Sequence, residues 1–182
     1  MPILNELLKD DNSEVKLNVI DGVIKVSKVI GSDFLQQPIL QSLIELTKDL
    51  NWRVRMSSFE RLADLGSTFG SEMFVKHLQT PFFTYLQNTA ASVRNMGVEK
   101  SGELAEKYGS DWIISQFIPV VQTAYDLDKK GYNYRMCCLK SLSAIMPFVQ
   151  KDVITKEIIP MFLKACKDEV PNVKFCVAKI IA

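Results

Sequence analysis

The chain has 182 residues, of which 47% are hydrophobic and 24% charged, a composition that suits a packed fold and excludes a disordered tail. Its formal net charge of +1 argues against a broad basic face for nucleic acid or an anionic membrane. No apolar run approaches a membrane span, and the opening MPILNELLKDD lacks the basic start and apolar middle of a signal peptide. The four cysteines (Cys137, Cys138, Cys166 and Cys176) form no CxxC pair and are expected to serve as small buried hydrophobes. Reduced thiols and the lack of a targeting segment make the cytoplasm the expected location, with the nucleus left open.

A repeat runs through the whole chain. Val15-Lys16, Val54-Arg55, Val93-Arg94, Tyr134-Arg135 and Val173-Lys174 follow one another at a near-constant interval of about 39 residues, a period of the kind that marks helical-repeat arrays. The step from the third to the fourth is two residues longer than the others. Gly31, Gly70 and Gly109 each lie sixteen residues after the Val, and each is followed by serine and an acid. Glycine there suits the left-handed residue that ends a helix, and the serine suits the N-cap of the next helix. The fourth copy has Gln150 at that position. Five residues before each anchor stand Asp10, Asp49, Asn88, Lys129 and Asp168, with Asp128 beside the fourth. Pro2, Pro81, Pro119 and Pro160 precede their anchors by twelve to fifteen residues, where proline opens or kinks a helix.

Between these markers the apolar residues follow helical spacing, with no sustained strand-like alternation. Ile39, Leu40, Leu43, Ile44 and Leu46 form one helix-A stripe, and Ile158, Ile159, Phe162 and Leu163 another. Helix B shows the columns Ile20, Phe59, Val98, Leu139, Ala178 and Val26, Leu65, Leu104, Ile145. Ser58, Gly97 and Cys138 share a register that permits close helix approach. The predicted fold is therefore all-α: a right-handed α-solenoid (superhelix) of HEAT repeats, four complete and a truncated fifth. The predicted repeats cover positions 1–31, 32–70, 71–109, 110–150 and 151–182 of a single array. The half-length last repeat and the missing polar caps lead us to expect a piece of a longer protein with open apolar edges.

The basic column (Lys16, Arg55, Arg94, Arg135, Lys174) and the acidic column predict a half-buried charge ladder at the turns between helices A and B. Catalysis finds no support in the sequence. His77 is the one histidine, and no P-loop, HExxH or metal-ligand spacing occurs, so no enzyme, metal or cofactor is expected. Trp112, which follows Gly109-Ser110-Asp111, is expected in the core.

The strings LIELTKDLNWRVR (43–55), EKYGSDWIISQFIPVV (106–121), ITKEIIPMFL (154–163) and DEVPNVKFCVAK (168–179) resemble the C-terminal half of the scaffold (A-type regulatory) subunit of protein phosphatase 2A. That resemblance covers essentially the whole chain. It implies a non-catalytic scaffold that holds the phosphatase catalytic subunit on its A–B turns, with a regulatory B-type subunit held mainly through earlier repeats. By match to the family's contact positions, Trp52, Arg53, Tyr132 and Val170 would bind the catalytic subunit, while Ala91 replaces an aromatic contact in the third turn. Residue chemistry agrees: Trp52 and Tyr132 lie in polar turns, and Trp, Tyr and Arg dominate interface hot spots. The alternatives are another HEAT adaptor, either a transport receptor or a chromosome-organising subunit, or a HEAT-like DNA glycosylase. The near-neutral charge disfavours the glycosylase.

Overall fold

The computed structural model describes residues 2–31, 37–126 and 131–182, and every regular element among them is helical. Ser32 and Asp33 of the first Gly-Ser-acid string, and Asp128, Lys129 and Lys130 of the fourth turn, lie outside the described residues. The chain forms two compact units, Met1–Met96 and Gly97–Ala182.

The first unit contains α1 (Pro2–Leu7), α2 (Ser13–Ile30), α3 (Gln37–Leu46) and α4 (Trp52–Phe69). It also holds α5, which starts as Ser71–Met73, widens into a π-helical turn at Phe74–Leu78 and continues as Gln79–Phe83. Odd-numbered helices are the A helices of the repeat and even-numbered ones the B helices. B packs on B (α2 on α4), and α1 and α3 lie against their own B helices. Leu40, Leu43 and Leu46 of α3 are buried, as are Val54, Phe59, Leu62 and Leu65 of α4. Such a fully buried aliphatic or aromatic side chain stabilises by about 1.5–3 kcal/mol relative to exposure. Phe74 and Phe82 meet edge-on at 5.5 Å, and Phe82 also packs on Tyr85 at 5.2 Å.

The helical run Ala91–Trp112 is broken at Gly109, and its first part, residues 91–108, is the next B helix, α6, which starts in the first unit and passes into the second. The second unit goes on with α7 (residues 110–112, a π-helical turn Ile113–Phe117, then Ile118–Asp126) and α8 (Tyr132–Ile145). It ends with α9 (Lys151–Val153, π-helical Ile154–Ile158, then Ile159–Ala165) and α10 (Pro171–Ile181). Trp112 is buried between Tyr108, at 5.0 Å, and Phe117, at 5.7 Å, as expected of a core residue. Cys137, Cys138 and Cys176 are buried; Cys166 is exposed.

The glycine column works differently from the capping device expected. Gly31 (φ 98°, ψ 177°), Gly70 (φ 91°, ψ 171°) and Gly109 (φ 78°, ψ −178°) adopt the mirror image of an extended backbone, not the left-handed helical region. That conformation is essentially closed to residues with a Cβ. Gly70 N–H donates to Gly66 O at 2.9 Å, closing one helix, while its carbonyl accepts from Phe74 N–H at 3.2 Å, opening the next. The N-cap is thus the glycine itself, and Ser71 is already the first helical residue, with no side-chain cap. One glycine reverses the chain, so a capping serine has no place to act. In the fourth repeat, Val149 (ψ 156°) and Gln150 (ψ 154°) make the break with two ordinary extended residues.

Pro81, Pro119 and Pro160 sit inside the A helices, just after the π-helical turns. A helical proline lacks its N–H and crowds the carbonyl four residues back. Here Gln79, Ile118 and Ile159 donate instead to Phe74, Ile113 and Ile154, five residues back, which widens the helix where the proline needs room. Some expected core positions lie outside the core. Val26 is 38% exposed although its equivalent Leu65 is fully buried, because no helix pair among the described residues precedes that of α2. Ile159, Leu163 and Ala178 are exposed in the last pair for the corresponding reason.

Two glycine substitutions separate backbone conformation from packing. A Cβ at either Gly22 or Gly70 would meet no atom within 4 Å, yet only Gly70 has positive φ. Gly70→Ala is expected to destabilise by about 1–3 kcal/mol. Gly22→Ala, within α2, should stabilise by about 0.5–1 kcal/mol. Urea unfolding followed by circular dichroism checks both signs.

Candidate protein-binding turns

Four of the A–B turns are built on one side chain each. Asp10, Asp49, Asn88 and Asp168 all accept, through Oδ1, the backbone N–H two residues on, at 2.7, 2.8, 3.1 and 2.8 Å respectively. This local bond fixes how the chain enters helix B. Three of these side chains also receive the cation of the preceding repeat. Lys16 Nζ reaches Asp49 at 3.1 Å, and Arg55 Nη2 reaches Asn88 at 3.4 Å. Arg135 holds Asp168 with two bonds, Nε at 2.7 Å and Nη2 at 3.0 Å. Arg55 and Arg94 also donate to carbonyls of their own turns, Asp49 and Leu50, and Asn88 and Thr89, at 2.6–3.0 Å. The expected ladder is therefore a framework of turns in which Asp49, Asn88 and Asp168 tie each turn to the repeat before it.

On this framework Trp52 is the first residue of α4 and Arg53 the second. Asn51 caps the helix by accepting Arg53 N–H at 3.0 Å. Trp52 is 36% exposed, and the Arg53 guanidinium lies over its ring at 4.8 Å. A cation–π contact of this kind contributes about 0.5–1 kcal/mol at an exposed site and holds both side chains in one arrangement. Leu50, in the same turn, is 100% exposed. It was not among the residues expected from the sequence, although an aliphatic residue inside Asp49-Leu50-Asn51 is itself a signal. Trp52, Arg53 and Leu50 thus lie within one turn of the first unit. Ala91 opens α6, exposed and without an aromatic neighbour in its turn.

The second unit carries the other two predicted residues. Tyr132 begins α8 and is 36% exposed, following Gly131 (φ 150°). Val170 occupies the N-cap of α10 and provides no side-chain cap, whereas Asn12 and Asn51 cap helices at the same register. A polar cap is worth about 1 kcal/mol, so valine here forgoes local stability for an apolar surface. Val170 borders a groove of about 750 Å³ also lined by Tyr125, Arg135, Leu163, Lys164 and Asp168. Lys164 pairs with Asp126 at 2.6 Å and lies over the Tyr125 ring at 5.6 Å. Burial, followed by the negative charge of Asp168, pushes the Tyr125 phenol up to about 12, so it remains a neutral hydrogen-bonding group.

Burial alone would raise the Asp168 carboxyl, but Arg135, the Val170 N–H and Lys174 outweigh it and hold the group below its usual range. Among the described residues no group of three His, Cys, Asp or Glu side chains could hold a metal ion. No helix among them is long and apolar enough to cross a membrane. The turns offer aromatic, aliphatic and guanidinium surface, which is the chemistry of protein recognition.

The Asp168–Arg135 pair gives the stability a definite pH dependence. With its folded pKa lowered, Asp168 contributes fully above the unfolded carboxylate value of about 4 and loses that contribution as pH falls through the folded value. Asp168→Asn should cost about 2 kcal/mol at neutral pH. The gap from wild type should close as pH falls below about 4. Urea unfolding at a series of pH values measures both.

No protein-family profile matches the chain. A curated protein of Schizosaccharomyces pombe, the A-type regulatory subunit of protein phosphatase PP2A, is 39% identical over 49 residues, which is 27% of this chain and 8% of that protein. Among solved structures, Cex1p aligns with 98% of the chain and 34% of its own at a TM-score of 0.69 and 12% identity. An engineered protein aligns with 98% of the chain and 78% of its own at a TM-score of 0.52 and 17% identity. A designed armadillo repeat protein, solved with a (KR)4 peptide, aligns over 98% and 79% at a TM-score of 0.50 and 15% identity. The chain therefore has an all-helical solenoid fold of the armadillo/HEAT-like kind, and a quarter of it is similar to a phosphatase regulatory subunit.

Proposed function

We propose that this chain is a non-catalytic scaffold segment that binds the catalytic subunit of a 2A-type serine/threonine phosphatase through its A–B turns. Trp52 and Arg53 are the main anchor, and Tyr132 and Val170 add contacts. The observation that carries this reading is the Trp52–Arg53 stack beside the fully exposed Leu50. It is a preformed aromatic and cationic pair, with an uncovered aliphatic residue in the same turn, and that turn is already held by Asn51, Asp49 and Arg55. Rigid Trp and Arg anchors of this kind lose little conformational freedom on binding and make up most interface hot spots. The uncapped Val170 supports the same role for the fifth turn, and the small Ala91 makes the third turn a weak point. The 49-residue similarity to the S. pombe phosphatase protein supports the choice of partner. A regulatory B-type subunit would be held mainly by further repeats, and the cytoplasm is the proposed location.

Binding of purified phosphatase catalytic subunit, measured by biolayer interferometry, tests the proposal. Trp52→Ala/Arg53→Ala should weaken binding by about thirtyfold or more, with the helical circular dichroism unchanged. Leu50→Ser should weaken it by about three- to tenfold. Undiminished binding by the double variant would remove these turns from the interface. If the folded wild type failed to bind, alone and within a longer repeat array, the phosphatase reading would fall in favour of another helical-repeat adaptor.

A further inference from the structure

The B-helix face of the second unit holds a surface separate from the turns. A groove of about 550 Å³ runs between α8 and α10, with Met136, Cys176 and Ile180 along its floor. Phe175 stands at its edge, 64% exposed, and Lys140 and Lys179 flank it. No carboxylate lines it, and neither lysine has an ion-pair partner among the described residues.

Lys140 and Lys179 stand one repeat apart, at one register of helix B. In the three earlier repeats that register holds acids, Asp21, Glu60 and Glu99, and in the first unit the charge is neutralised internally. Arg61, one residue further along, reaches Asp21 at 2.6 Å and Glu60 at 2.7 Å. In the second unit the residues after the lysines are Ser141 and Ile180, which cannot supply a counter-ion. The groove therefore sets two cations without an ion-pair partner among the described residues beside an apolar lining and an exposed phenyl ring. An occupant that matches both properties carries carboxylates beside a hydrophobic anchor.

We propose that the groove between α8 and α10 docks an acidic protein segment bearing an apolar or aromatic anchor, with Lys140 and Lys179 pairing its carboxylates and Phe175 packing on its anchor. The lysines favour encounter and set orientation, and the floor of Met136, Cys176 and Ile180 excludes water from the contact. This surface does not involve Trp52, Arg53, Tyr132 or Val170, so the proposal stands whether or not the turns bind a phosphatase.

Fluorescence anisotropy on the 182-residue chain provides the test, with a labelled peptide of Asp and Glu residues around a central Leu-Phe pair. The peptide should bind the wild type, and Lys140→Glu/Lys179→Glu should weaken binding about tenfold or more. Phe175→Ser should weaken it about fivefold, and all three substituted positions are exposed, so the fold should survive. Peptides with the acids changed to lysine, or with Leu-Phe changed to Gly-Ser, should bind at least about tenfold more weakly. Several outcomes would overturn the proposal: no binding, equal binding of the charge-swapped peptide, or affinity that follows Trp52 and Arg53 instead. So would competition by a single-stranded oligonucleotide as strong as that by unlabelled peptide. Self-association lost on Phe175→Ser would overturn it in favour of a second copy of the chain.

Discussion

A single polar side chain in an A–B turn does two things, and the placement of the helix B that follows depends on both. Asp49, for example, closes its own turn through Oδ1 and receives Lys16 of the preceding repeat through Oδ2. Asp168 does the same with Val170 N–H and Arg135. The local bond sets the entry angle of the helix, and the bond from the preceding repeat sets how that helix sits on the one before it. An isolated surface ion pair contributes little to stability. These pairs are half-buried, joined to backbone groups and repeated, so their main effect is on register. Asn88 shows that charge is not essential, since an amide oxygen can close the turn and still meet Arg55.

The candidate binding residues gain their geometry from this framework. Trp52, Tyr132 and Val170 all lie at or next to a helix start. Their exposure is a consequence of that placement, because a side chain at the mouth of a turn projects past the packed faces of both helices. A partner meeting such a turn has little disorder to overcome, so large anchors can contribute most of their contact energy to affinity. The same logic distinguishes the B-helix face of the second unit. There the exposed apolar surface lies between helices and is bordered by lysines that have no ion-pair partner among the described residues. The first unit commits Arg61 to its own acids at that register.

The helical framework departs from regular geometry in two places where the repeat demands it. Glycine makes a reversal that any Cβ would oppose, and the proline of helix A is accommodated by a π-helical turn. Both allow one helix to follow another, or bend along its neighbour, without a long loop. The fourth repeat manages the reversal with Val149 and Gln150 in extended conformations, so the glycine is a compact solution and not the sole one.

Much of this was determined by the sequence alone. Helical periodicity, the constant repeat interval and the charged columns are local or strictly repeated properties, so they specify the all-helical repeat, the helix breaks and the ladder without reference to packing. Trp52 and Tyr132 were legible as turn aromatics for the same reason. Other features were decided only by the tertiary structure, because burial is a relation between neighbours. Val26 and Leu65 occupy the same column, yet among the described residues Leu65 is fully buried and Val26 is left partly uncovered. Leu163 fits a helix-A stripe and still faces outward, and Leu50 becomes conspicuous only once its turn is seen to leave it wholly uncovered. The lysine groove likewise needs two helices side by side: each helix carries one cation and part of a floor, and packing alone turns them into a surface.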